Sequence, residues 1–316
     1  MNLSLDVPDD FDIYDDFDIY DDTNNYTETP ELMFNFDDGD FDKTEEKIVC
    51  LDLDETLVHC PRLSIWMNIF AYYNDLRLKE NKEILKDNIK VFLELGGLRP
   101  GVKKLIQTLS NLLLMKKIDR VGIFTSAANK DNYVNYLKLC IEELSGVPEN
   151  TISFLITREN GSRTARDGAT IKDLYEVYNL FYKIETNADL YGKYSIKNVV
   201  ILDDKPYNIA QYSCGYYDEN IIGITQYNKD VNYLEFIKKI KLEWCDKDKL
   251  IKLLELEKIP EMSEVPENIK KELTIAVTII NDEKTYPYNY DYHSNDDMYK
   301  KIEQIKNRFM SLAEGK

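Results

Sequence analysis

"IVCLDLDETLVH", residues 48–59, joins a continuous apolar run to two aspartates one residue apart, with Thr56 two positions beyond the second. Four apolar residues without alternation read as a strand covered on both faces. Aspartate is a poor strand residue and is costly to bury unpaired. A turn, a metal or chemistry has to offset that cost. Strand geometry puts residues i and i+2 on one side, so Asp52 and Asp54 are expected to face one pocket.

The same grammar recurs along the chain. VGIF (121–124), ISFLI (152–156), NVVIL (198–202) and IIGI (221–224) are further short apolar runs. Helical spacing separates them. Val102, Leu105, Ile106, Leu109, Leu112 and Leu113 follow an Arg-Pro-Gly turn at 99–101. Tyr133, Leu137, Cys140, Ile141 and Leu144 form a second stripe, and Val231, Leu234, Ile237 and Ile240 a third. Strands alternating with helices predict an α/β fold: a Rossmann-like parallel sheet with helices on both faces.

In such a sheet, ligands bind beyond the carboxyl ends of the strands. Asp52 and Asp54 end the first strand, Thr125 and Ser126 the second, and Asp203 and Asp204 the NVVIL strand. Carboxylates converging there repel one another unless a cation joins them. An all-oxygen set suits Mg²⁺, which keeps waters and takes a substrate phosphate oxygen.

Composition narrows the field. Net charge is −18, yet residues 1–45 hold 16 acidic side chains against one lysine, Lys43. The body is therefore near neutral, with no basic footprint for direct nucleic-acid binding. The tail repeats FDIYDD at 11–16 and 17–22 and echoes it in FNFDDGDFD at 34–42. Like charge and little apolar surface predict a disordered, solvated arm; the recurring Phe, Ile and Tyr leave open docking to an unidentified partner. No apolar run is long enough for a membrane span, and five scattered cysteines without a C-x-x-C pair read as reduced thiols. The expected setting is intracellular, cytoplasmic or nuclear. With only His59 and His293, a histidine-rich zinc site is nearly excluded, and His59 reads as structural.

Two segments interrupt the rhythm. Residues 60–98, with IWMNIFAYY and KVFLEL, read as a small flap or insert rather than a large cap. Trp66, Tyr72 and Tyr73 in it read as core. Residues 259–316 follow a proline-containing linker as a C-terminal extension. It ends in a helix with Met298, Ile302, Ile305, Phe309 and Leu312 at 4-3-4-3 spacing. Two heptads are too few for a coiled coil, so the stripe is expected to pack on the core.

The motifs resemble those of the haloacid dehalogenase superfamily, and within it the RNA polymerase II C-terminal-domain type of phosphoserine/phosphothreonine phosphatase, also called NLI-interacting-factor-like. DLDETLVH (52–59) resembles that family's first motif across its length. LRPGV (98–102) is similar to the segment before its next helix, IFTSA (123–127) to its second motif, TIKDL (170–174) to the stretch bearing its lysine, and VILDDKP (200–206) to its fourth. The resemblance covers about residues 46–243, within an expected domain of 46–258.

The resemblance implies roles. Asp52 is expected to attack phosphorus and form an aspartyl-phosphate. Asp54 is expected to act as acid, then base. Thr125 would hydrogen-bond the phosphoryl group and Lys172 would balance its charge. Mg²⁺ would sit on Asp52, the Asp54 carbonyl and Asp203. Asp204, Ser126 and Thr56 are further possible members; Asp204 is either a water-mediated ligand or a turn former. Lys172 lies 31 positions before Asp203, a long spacing for the family, so Lys193, Arg163 and Arg166 stand as alternatives. The implied substrate is a phosphorylated protein. Nucleic-acid ends or small phosphate esters are an alternative, as is a non-catalytic binding module.

Overall fold

The computed structural model describes residues 46–60, 63, 65, 66, 69, 82–129, 132–164, 170–182, 196–212, 219–229, 231–240, 266–285 and 296–311. These fall within one compact unit, Lys43–Lys316. The acidic tail, Tyr72, Tyr73, Arg166, Lys193 and Leu312 lie outside the described residues.

Five parallel strands form the central sheet in the order β3-β2-β1-β6-β7. They are β1 (Ile48–Leu51), β2 (Arg120–Phe124), β3 (Phe154–Ile156), β6 (Val199–Asp203) and β7 (Ile221–Gly223). A separate antiparallel pair joins β4 (Ser162–Thr164) to β5 (Thr170–Lys172). The expected α/β class with a parallel sheet is the observed one.

Burial explains why the strand sequences do not alternate. Val49, Leu51, Val121, Ile123, Val200 and Leu202 face one core; Ile48, Cys50, Phe124, Val199 and Ile201 face another. Both faces are buried, so the strand interiors are apolar, and the charged Arg120 and Asp203 stand only at the ends of β2 and β6. Gly122 is the exception with a purpose. A Cβ there would lie 2.2 Å from the Phe154 ring, so its absence lets Phe154 lie across β2.

The larger core takes side chains from α1 (Lys82–Phe92), α2 (Val102–Leu114) and α3 (Tyr133–Ser145). The smaller core takes Val177 and Tyr178 of α4 (Glu176–Tyr182). Helices α5 (Tyr233–Lys239), α6 (Glu267–Thr285) and α7 (Asp296–Ser311) join the larger core. Met298, Ile302, Ile305 and Phe309 are all buried, and α7 packs on α2. The stripe is thus a packing face within one chain. In the 60–98 stretch, Leu63, Ile65, Trp66 and Ile69 are buried, and Trp66 stacks on Tyr233 with ring centroids 5.5 Å apart.

The chain leaves β1 for β2 and β3 on one side, then returns to β6 and β7 on the other. Strand order therefore reverses beside β1, which opens a crevice at the carboxyl ends of β1 and β6.

Candidate active site

Strand β1 ends at Leu51, three residues short of Asp54, whereas the two-residue strand repeat sets Asp52 and Asp54 on one side only if the strand runs through both. Asp52 still extends the ladder, its N–H donating to the Leu202 carbonyl at 2.9 Å. The chain then turns. Leu57 and Val58 N–H groups return to the Leu53 carbonyl, and Glu55 sits at φ 61°, the left-handed region. The two carboxylates consequently take different partners, which strand alternation does not anticipate.

Asp52 is 5 % exposed and pairs with Lys172 Nζ. The same Nζ lies 2.7 Å from Asp203 Oδ2. One buried ammonium thus bridges carboxylates from the ends of two neighbouring strands. Lys172 reaches them because β5 is anchored on both sides: by β4, and by Ala210 N–H donating to the Lys172 carbonyl at 2.8 Å. The long spacing to Asp203 does not keep Lys172 from the cluster. Asp54 accepts instead from Thr125 Oγ1 at 3.3 Å, and Thr125 Oγ1 also receives the Ala127 N–H at 3.0 Å. Ser126 enters through its backbone, its carbonyl accepting from Arg158 Nε at 2.9 Å. Thr56 is fully buried and exchanges two 3.0 Å hydrogen bonds with Asp204: hydroxyl to Oδ1, and Asp204 N–H to the hydroxyl.

Electrostatics follow from this crowding. Burial drives the Asp52 carboxyl well above the usual carboxylate range; Lys172 opposes the rise, while Asp203 and Asp54 add to it. Burial likewise raises Asp54, against the hydrogen bond from Thr125. For Lys172, burial pulls downward, but Asp52 and Asp203 outweigh it and the net shift is upward. The lysine stays charged. Asp204 is raised, first by burial.

Asp52, Asp203 and Asp204 each offer a carboxylate oxygen, and these oxygens lie within 4.8 Å of one another. Asp204 Oδ2 is buried without a hydrogen-bond partner. A hard, all-oxygen donor set with one oxygen unsatisfied fits a divalent metal.

Four further residues frame the site. Glu55 pairs with Lys205 Nζ at 3.1 Å and accepts from Gln226. Arg99 is buried and donates to the Thr225 carbonyl at 2.7 Å and the Thr56 carbonyl at 3.4 Å. Sequence offered one hint for Arg99, its place in LRPG, and one for Lys205, directly after the aspartate pair. Nothing in sequence spacing marks Gln226. Of the alternatives to Lys172, Arg163 lies on β4, paired in register with Ile171.

No curated protein matches the chain. A family model, NLI interacting factor-like phosphatase, matches residues 47–249. That match takes in β1 and its turn, the Thr125 loop, Lys172 and the β6 aspartates. With most of its length inside one family and the strand-end carboxylates assembled around a lysine, the chain belongs to the NLI interacting factor-like phosphatases, of the haloacid dehalogenase superfamily.

Proposed function

We propose that the chain is a Mg²⁺-dependent phosphatase that works through an aspartyl-phosphate on Asp52, with phosphoserine or phosphothreonine in proteins as substrate. The observation that carries the chemistry is the Lys172 ammonium held between Asp52 and Asp203, with Asp204 beside them. Phosphoryl transfer is mostly positioning and charge neutralisation, and this cluster supplies both.

An Asp52 oxygen attacks phosphorus in line with the ester oxygen. The bond from phosphorus to that oxygen breaks, its electron pair stays on the oxygen, and Asp54 delivers a proton there. Water then attacks the acyl-phosphate. Asp54 takes the water's proton, the bond between phosphorus and Asp52 breaks, and phosphate leaves with Asp52 restored. Thr125, beside Asp54, donates to the phosphoryl group, and Lys172 keeps Asp52 oriented between steps. Asp52, the Asp54 carbonyl and Asp203 would hold Mg²⁺, which supplies neutralisation of the phosphate oxygens. A protein substrate is supported by the family and by the described part of 60–98, whose apolar side chains pack into the core.

The test is hydrolysis of a phosphoserine and phosphothreonine peptide panel beside p-nitrophenyl phosphate, with Mg²⁺ and with chelator. Mg²⁺-dependent turnover with preference for peptides is expected. Undiminished turnover in excess chelator, or none on any phosphopeptide, would contradict the proposal.

A further inference from the structure

The family match ends at residue 249, yet one polar contact at the site's edge comes from beyond it. Asp297 lies in the first turn of α7. Its Oδ2 accepts from both the N–H and the hydroxyl of Thr225, each at 2.9 Å. The Thr225 hydroxyl also accepts from Arg99 at 3.2 Å.

Thr225 belongs to a segment that grips both carboxylate-bearing turns. Ile224 N–H donates to the Asp203 carbonyl at 3.0 Å, and Tyr227 N–H to the Glu55 carbonyl at 2.7 Å. Gln226 holds the Glu55 carboxylate, and Arg99 links the Thr225 and Thr56 carbonyls. Thr56 in turn holds Asp204. Close docking of α7 depends on Gly101, at φ +86°, where a Cβ would lie 2.8 Å from Met298 Cγ.

We infer that Asp297 is a positioning residue for the metal-binding carboxylates, acting through Thr225 and Arg99 on the turn that holds Asp204. The C-terminal extension is then part of the catalytic framework. This rests on the functional reading only in naming Mg²⁺ as the ion. The carboxylate fixes a backbone N–H and a hydroxyl of segment 224–227 together. Without it the segment has two donors to satisfy with water, and its grip on Glu55, Thr56 and Asp203 loosens.

The experiment uses the full chain with Asp297→Asn, and Met298→Ala as a control that weakens α7 packing without touching the polar chain. Two readouts are taken without substrate: Mg²⁺ affinity by calorimetry, and amide hydrogen exchange at 55–58 and 224–227. Asp297→Asn is expected to weaken Mg²⁺ by about threefold or more, less than the roughly 10- to 100-fold typical of a ligand's direct partner. It should also speed exchange in both segments, while Met298→Ala lowers the melting temperature and leaves both readouts at wild-type values. Unchanged affinity and exchange in Asp297→Asn, or equal changes in Met298→Ala, would overturn the inference. Should Asp297→Asn not fold, Thr225→Val removes the hydroxyl that links Asp297 to Arg99, leaves the Thr225 N–H to Asp297, and is judged by the same outcomes. A wild type without phosphatase activity leaves the exchange readout standing, so the two failures register separately.

Discussion

The strand-end cluster and the apolar seam of the C-terminal helices α6 and α7 are both buried, but for opposite reasons. Around Asp52 the molecule buries two carboxylates and an ammonium, and continuum physics assigns such a group little or no net stability. Around Phe309 it buries Met298, Ile302 and Ile305 with no charge, and the gain is apolar area removed from water. One region is costly and poised for chemistry; the apolar seam of the other is favourable and reaches the site only through Asp297 at the start of α7. Substitutions in the two should therefore move different observables.

The largest effect is expected from Asp52→Asn. The amide keeps the shape and loses the charge that the proposed nucleophile needs and one oxygen of the candidate metal site. Steady-state assays should find turnover abolished, with a circular-dichroism melt close to wild type. Lys172→Ala comes next. It leaves Asp52 and Asp203 facing each other without their shared cation, so the rate should fall by several orders. Breaking a buried pair typically costs about 3–5 kcal/mol, so denaturant unfolding should also show a loss. That double effect would sharpen the contrast, because it would mark Lys172 as belonging to chemistry and structure at once.

Phe309→Ala should do the reverse. A fully buried Phe→Ala costs about 3–5 kcal/mol. Urea titration should report that loss while kcat per folded molecule stays within about twofold, a change under 1 kcal/mol. If turnover fell in step with Asp52→Asn, the division between the regions would break.

The smallest effect is a pH dependence at Asp297. Burial raises its carboxyl somewhat, but the two hydrogen bonds from Thr225 and nearby Lys301 and Arg99 win, and the net shift is downward. A depressed carboxyl contributes stability above its unfolded value, about 3.9, and loses it as pH falls through the folded value. Melting temperatures of wild type and Asp297→Asn should therefore differ at pH 7 and converge at low pH. A gap that widens on acidification would reverse the sign of this account.

How legible was all this in the sequence? The sheet was, because strands buried on both faces leave unbroken apolar runs such as IVCL and NVVIL, and DLDETLVH marks where the first one stops. The stripe on α7 was, because helical periodicity survives without knowledge of the partner. The different partners of Asp52 and Asp54 were not. A strand ending at Leu51 and a left-handed Glu55 depend on hydrogen bonds returning to Leu53, which no local pattern announces. Lys172 was blurred by its long spacing, since what carries it to Asp52 is pairing with β4 and the 206–212 turn rather than distance along the chain. Arg99 and Asp297 meet at Thr225 across 126 and 72 positions, a contact only the tertiary fold creates.

The central claim is that the buried Asp52 is a nucleophile rather than a structural charge. The direct measurement is rapid-quench mass spectrometry of Asp54→Asn mixed with a phosphate ester and Mg²⁺, mapped to peptides. The account predicts an acid-stable, base-labile phosphate on the peptide containing Asp52, and none in Asp52→Asn. Turnover in the wild type with no phosphorylated Asp52 under any quench, or with the phosphate on another residue, would contradict it.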